Sequence, residues 1–202
     1  MNKPFSQSCV ENQEVILNAI SSYLKKDTRV LEIGSGTGQH AVYFSSNFPR
    51  LCWQTSDLAE YLPGINAWIE EANLPNLTQA VELDVCVRWP ENKYDVIFSA
   101  NTFHIMNQAQ VQQCMRRCVS CMEPEACLII YGPFNYNGSY TSTSNENFDH
   151  WLKSRDPESG IKHFEWVNQL AQDMNMQLVD DIEMPANNRI LIWKNETLGD
   201  QS

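Results

Sequence analysis

The sequence predicts an α/β sandwich, doubly wound around a mostly parallel seven-stranded sheet with a final antiparallel hairpin. Three observations carry this expectation. Apolar, β-branched segments alternate with segments of helical periodicity along most of the 202 residues, as expected for a sheet covered by helices on both faces. Val30-Leu31-Glu32-Ile33 runs straight into Gly34-Ser35-Gly36-Thr37-Gly38, a strand that ends in glycines and restarts as a helix. Residues 34–38, Asp57, Asp84 and residues 99–104 all fall where expected strands reach their carboxyl ends, and ligands of such sheets bind there, near the point where strand order reverses.

Taken in order, residues 1–8 form a polar arm that contains Pro4. Ser8 and Glu11 read as a capping box for an amphipathic helix to about residue 24, with Val10, Ile16, Leu17, Ile20 and Leu24 on one side. A strand over 29–33, a helix over 38–47 and a strand over 51–55 make a βαβ unit, whose crossover is expected to be right-handed. A helix over 62–73 is broken by Leu74-Pro75-Asn76, and a strand over 79–83 ends at Asp84. Tyr94-Asp95-Val96-Ile97-Phe98-Ser99 is a buried strand of the kind parallel sheets contain. Asn107 can cap a helix to about residue 122, followed by a strand over 126–131. Residues 132–160 are rich in Gly, Asn, Ser, Thr and Tyr and too long for an ordinary connection, so they are expected to cover or form a site, with a short helix over 146–154. A helix over 161–174 and an antiparallel pair over 177–183 and 189–194 close a single domain of residues 1–194, and residues 195–202 read as a polar tail.

A net charge of −11 argues against sequence-independent nucleic-acid binding, which needs Lys and Arg to neutralise phosphates. No apolar run reaches the ~20 residues that span a bilayer, and the start of the chain lacks a signal-peptide pattern. Seven cysteines without regular pairing suggest reduced thiols. The expectation is a soluble, cytoplasmic protein with no membrane or nucleic-acid partner.

The spacing Gly34, Gly36, Gly38 differs from the dinucleotide fingerprint G-x-G-x-x-G/A, which would require Gly or Ala where Gln39 stands. Glu32 places an acid inside the strand, suited to a ligand with a cationic end, and Asp57 closes the second strand about 20 residues on, where a ribose-binding carboxylate is expected. A ribose and a cationic amino-acid tail describe S-adenosylmethionine. On these residues the chain resembles class I S-adenosylmethionine-dependent methyltransferases. The words Lys3-Pro4-Phe5-Ser6, Ser144-Asn145-Glu146-Asn147-Phe148-Asp149, Arg155-Asp156-Pro157 and Met184-Pro185-Ala186-Asn187-Asn188 extend the resemblance to the methyltransferase-like 26 family (domain of unknown function 938), in which no substrate is established.

The resemblance implies a cofactor lying across Gly34, Ser35, Gly36 and Gly38, its ribose on Asp57 beside Leu58 and its adenine on Asp84 and the Val85 N–H. Glu32 would act on the methionine end through water or the turn backbone, and the Asn101 carbonyl would meet the ammonium. His104 is the candidate general base, since its ordinary pKa lies near neutrality. Phe5, His104, Tyr136, Asn145, Trp151 and Asn187 are the candidate acceptor residues. Residues 100–104, Ala-Asn-Thr-Phe-His, lack the Asn/Asp-Pro-Pro-aromatic motif of base-modifying amino-methyltransferases, which argues against adenine or amide N-methylation; the expected acceptor is a small molecule.

Three other readings compete with this one. Cys114, Cys118 and Cys121 have a spacing that holds iron–sulfur clusters, but at i, i+4, i+7 they form the buried stripe of a helix, so no metal is expected. Nicotinamide chemistry is disfavoured by Gln39 and Glu32. A cofactor-binding protein that no longer transfers methyl groups keeps the same residues, and the sequence does not separate it from an enzyme.

Overall fold

The structure is a computed structural model that describes residues 3–196. Helix α1 (Gln7–Ile20) starts at Ser6, whose hydroxyl accepts from the Cys9 N–H. The expected capping residue Ser8 thus lies inside the first turn, because the chain turns helical two residues earlier. Ile16, Leu17 and Ile20 are buried as expected, whereas Val10 faces solvent. Strand β1 (Arg29–Ile33) leads through the glycine turn into α2 (Gln39–Asn47). Strand β2 (Cys52–Asp57), α3 (Leu62–Ala72) and β3 (Leu77–Glu82) follow. Asn73, left-handed at φ 47°, ends α3.

Strand β4 (Tyr94–Ala100) and α4 (Gln108–Cys118) come next. Asn107 does cap α4, and Gln110 completes a reciprocal capping box. α4 is shorter than expected because a 3₁₀ turn over Val119–Cys121 leads into β5 (Met122–Gly132). The segment after β5 is not an open loop. It holds β6 (Phe134–Asn135) and α5 (Thr143–Arg155), a helix one turn longer than the short one expected, capped by Ser142. Strand β7 (Lys162–His163) pairs with β6, which delays α6 (Phe164–Asp173) by three residues from the expected start. Strands β8 (Met176–Met184) and β9 (Asn188–Asn195) form the final hairpin. Asn195 therefore ends a strand, and of the expected polar tail residues 197–202 lie outside the described residues.

The seven-stranded sheet has the order β3-β2-β1-β4-β5-β9-β8. β1 through β5 are parallel, and β9 runs antiparallel to both neighbours. Alternate residues of each strand feed two cores. On one face Val30, Trp53, Val96, Phe98, Ile129 and Ile192 pack under α1, α2 and α3. On the other, Leu31, Ile33, Ile97, Leu128 and Ile130 pack under α4 and α6. Burial on both sides explains why these strands read as unbroken apolar runs. Order reverses between β1 and β4, and this switch point places the glycine turn at the centre of the carboxyl edge. Among the described residues no helix is long and apolar enough to cross a membrane.

Phe44 is the hub of the first core, with rings of Trp53 at 5.3 Å and Phe98 at 5.7 Å, both edge-on. Phe44→Ala should cost about 3–5 kcal/mol, read as a lower urea midpoint with an unchanged slope. A loss below about 1 kcal/mol would mean that the cavity collapses and that Phe44 is not the keystone of this face.

Candidate functional site

The turn after β1 is shaped by hydrogen bonds to β2. The Gly34 and Ser35 N–H groups both donate to the Ser56 carbonyl, at 3.1 and 2.9 Å. The Ser35 hydroxyl donates to Glu32 Oε2 at 2.9 Å, while its oxygen accepts from the Ser56 N–H at 3.1 Å. Trp53 Nε1 donates to the same Glu32 oxygen at 3.1 Å. Glu32 therefore faces the protein interior, and what it does for the turn it does through Ser35. Burial pushes its pKa from 4.5 to about 7, against the Trp53 and Ser35 hydrogen bonds that favour the ionised form.

Two glycines are required by geometry. Gly34 has φ 72°, and a Cβ there would stand 2.6 Å from Thr102 Oγ1, so the turn after β1 and the segment after β4 touch with no room for a side chain. Gly36 has φ 58°, and a Cβ there would meet nothing within 4 Å. Its backbone therefore borders open space that a ligand can approach. Its N–H donates to Asp57 Oδ2 at 2.8 Å, and the Leu58 N–H donates to Asp57 Oδ1 at 2.8 Å. The carboxylate is thus oriented beside the turn with lone pairs to spare. Burial pushes the Asp57 pKa up, opposed by those two N–H bonds.

At the end of β3, Asp84 Oδ1 accepts from the Cys86 N–H at 2.8 Å, and Val85 is half-buried against the second core. Asn101 has the left-handed backbone, φ 57°, that bends the chain after β4. His104 lies two residues beyond Thr102 with its ring against Phe148, at 5.1 Å between centroids. Its carbonyl accepts from the Gly160 N–H at 2.9 Å. Burial, with a smaller contribution from the Lys162 charge, lowers its pKa to about 4. Among the described residues its ring nitrogens have no hydrogen-bond partner.

The remaining candidates divide between two covers. Residues 3–6 lie against the start of α2 and along α3. Trp68 Nε1 donates to the Pro4 carbonyl at 2.6 Å, Pro4 packs on Gly64, and the Ser6 N–H donates to Gln39 Oε1 at 2.6 Å. Phe5, between these anchors, is 64% exposed. The second cover is α5. Asn145 Nδ2 donates to the Asn187 carbonyl at 3.0 Å, and Asn187 Nδ2 to Ser144 Oγ at 3.2 Å, so these two amides fasten α5 to the β8–β9 turn. Asn187 is left-handed there, φ 57°, and Asn188 is extended. Tyr136 is engaged elsewhere: its hydroxyl donates to Asp181 at 3.0 Å and its ring stacks on Phe164. Trp151 stacks on Phe148. Cys114, Cys118 and Cys121 are core residues, and burial pushes Cys114 to about 12.

Three further residues shape the site beyond those the sequence marks. Gln39 pins the arm, Thr102 closes on Gly34, and buried Asp149 ties α5 down by accepting from Tyr140, Lys153 and the Ile161 N–H. Gln39 had a signal, since it stands where a dinucleotide fold needs a small residue. Asp149 had a weak one, Lys153 at i+4, and Thr102 had none, because Gly34 lies 68 residues away.

A seven-stranded sheet of this order, with a glycine turn at its switch point and an acid closing β2, defines the class I S-adenosylmethionine-dependent methyltransferase superfamily. Within it, the chain belongs to the family described as "Protein of unknown function (DUF938)", which matches over residues 3–195. A phosphoethanolamine N-methyltransferase of Plasmodium falciparum (isolate 3D7) is 26% identical over 156 residues, which are 73% of this chain and 52% of that protein. An O-methyltransferase family protein from Burkholderia thailandensis superposes with a TM-score of 0.81 at 13% identity, over 94% of this chain and 58% of the other. Human N-acetylserotonin methyltransferase in complex with SAM superposes with a TM-score of 0.80 at 13% identity, over 95% of this chain and 53% of the other. The chain thus spans little more than half the length of these proteins.

Glu32 generates a pH prediction. Its folded value of about 7 lies above the ordinary 4.5, so between those values the folded chain keeps a proton that the unfolded chain has released. Its contribution to stability is therefore lost as pH rises from about 4.5 to about 7, by up to roughly 3 kcal/mol. His40 and His104, both lowered to about 4 by burial, act in the opposite direction as pH rises toward 6.5, so the comparison is with a variant. Relative to wild type, Glu32→Gln should fare better near pH 8 than near pH 5 in urea denaturation. Parallel midpoints at both pH values would assign the ionisation elsewhere.

Proposed function

We propose that this protein is an S-adenosylmethionine-dependent methyltransferase acting on a small-molecule acceptor. The observation that carries the reading is the Asp57 carboxylate, held by the Gly36 and Leu58 N–H groups beside backbone that borders open space. A fixed carboxylate can accept both hydroxyls of a ribose diol, and the missing side chain at Gly36 lets a ligand lie against the turn. The residues present fit the cofactor.

In this reading Gly34, Ser35, Gly36 and Gly38 form the floor under the cofactor. Asp57 and Leu58 hold the ribose side, Asp84 and Val85 the adenine, and the Asn101 carbonyl the ammonium. Glu32 acts indirectly, by setting Ser35. When bound, the cofactor supplies an electrophilic methyl group on a sulfonium. The chain contributes alignment and exclusion of water, with the arm at Phe5 and helix α5 as covers. His104 faces the acceptor and, being neutral, accepts a hydrogen bond from it. The names of the relatives, phosphoethanolamine and N-acetylserotonin methyltransferases, and the net charge of −11 support a small-molecule acceptor over a nucleic acid.

Calorimetry is the test. S-adenosylmethionine or S-adenosylhomocysteine should bind, and NAD and NADP should not; tight nicotinamide binding would sink the proposal. Asp57→Ala should weaken the cofactor by roughly 1.5–3 kcal/mol, or about tenfold to a few hundredfold, with a thermal melt to check that the fold is intact. Methyl-labelled cofactor incubated with cell extract then separates an enzyme from a binding protein, since only an enzyme yields a labelled product above a protein-free control.

A further inference from the structure

Four side chains form a continuous ladder from the interior to solvent at the carboxyl edge of the sheet. His104 is 7% exposed, and among the described residues its ring nitrogens have no hydrogen-bond partner. The ring of Phe148 meets His104 edge-on at 5.1 Å. Trp151 stacks on Phe148 at 5.8 Å with 16° between the planes. The Arg155 guanidinium lies over Trp151, Cζ to ring centroid 4.5 Å. Positions 148, 151 and 155 share one face of α5, because helical neighbours recur at three and four residues.

Three features of this ladder leave it open to a ligand. The His104 ring nitrogens have no partner among the described residues and are not sealed from solvent, so a donor from outside can reach them. Trp151 leaves 49% of its surface in water, and Ile105, next to His104 in sequence, leaves 61%. Arg155 forms no ion pair among the described residues, in a chain with 25 Asp and Glu against 14 Lys and Arg. Tyr140, Lys153 and the Ile161 N–H hold the buried Asp149 of the same helix, so the ladder is presented on a fixed support.

We propose that this ladder is the acceptor site, and that it takes a planar aromatic molecule with a hydroxyl or amine at one end and an anionic group at the other. This rests on the methyltransferase reading and adds the class of acceptor. The donor end meets His104, whose free ring nitrogen accepts its hydrogen bond. The ring lies along Phe148 and Trp151, where stacking favours flat, conjugated ligands. The anion meets Arg155, whose planar fork matches a carboxylate or phosphate in two parallel hydrogen bonds. From Phe148 to Arg155 the helix rises roughly 10 Å at 1.5 Å per residue, room for one ring with a short chain. His104 is neutral at physiological pH, which keeps its acceptor lone pair available.

The test uses the full chain with S-adenosylhomocysteine and two probes, 3-(4-hydroxyphenyl)propanoate and its primary amide, which differ in charge but hardly in shape. Binding of S-adenosylhomocysteine alone is measured first, and its absence would overturn the methyltransferase reading and this proposal with it. On the cofactor-loaded protein the acid should bind about tenfold tighter than the amide, and the margin should shrink with added salt. Arg155→Gln should abolish the margin by weakening only the acid. Trp151→Leu should weaken both probes alike. Both residues are exposed, and S-adenosylhomocysteine binding by each variant, with a thermal melt, reports an intact fold. If the cofactor binds but neither probe does, if acid and amide bind equally, or if Arg155→Gln keeps the margin, the ladder is not this site and the proposal fails while the cofactor reading stands.

Discussion

The glycine turn depends on one buried carboxylate. Glu32 sits inside β1, where an acid is costly to bury unless it is hydrogen-bonded, and Trp53 and Ser35 supply donors to the same oxygen. The Ser35 side chain in turn accepts from the Ser56 N–H, and the Ser56 hydroxyl donates to the Glu32 carbonyl at 2.6 Å. The carboxyl ends of β1 and β2 are therefore tied side chain to backbone as well as through the sheet. Asp57 follows directly and closes the arrangement on the Gly36 N–H. A turn with three left-handed glycines has high conformational freedom when unfolded, and this polar knot selects one shape for it.

Two covers rest on this frame, and in each one polar side chain with several partners adds to the other hydrogen bonds that fasten it. Gln39 holds the arm through both backbone groups of Ser6, accepting at 2.6 Å and donating at 3.3 Å. Asp149 holds the second cover. Burial raises its pKa, but the Lys153, Tyr140 and Ile161 hydrogen bonds together bring it below the ordinary carboxylate range. Such anchors fix where a segment lies more sharply than apolar contact does, because a buried carboxylate deprived of its donors is strongly unfavourable. They also explain how an arm and a long segment outside the sheet stay docked with few core residues of their own.

Much of this was legible in the sequence because it is local. The glycine spacing, the acids at 57 and 84 and the Asn107 cap depend on residues within a few positions of one another. The apolar runs of 94–99 and 126–131 marked central strands, since both faces of a parallel sheet are buried. The hairpin was legible as two short segments, 177–183 and 189–194, on either side of Pro185-Ala186-Asn187-Asn188. What tertiary structure alone decided depends on partners far apart in the chain. Glu32 faces inward because Trp53 supplies a donor 21 residues away. Asn145 and Asn187, 42 residues apart, meet each other, and Tyr136 turns to Asp181, 45 residues on. The helix over 161–174 starts late because Lys162 and His163 pair with a two-residue strand that no propensity marks. Periodicity records which side of an element is buried; it does not record which distant polar group completes a hydrogen bond, because that choice is made only when the layers close.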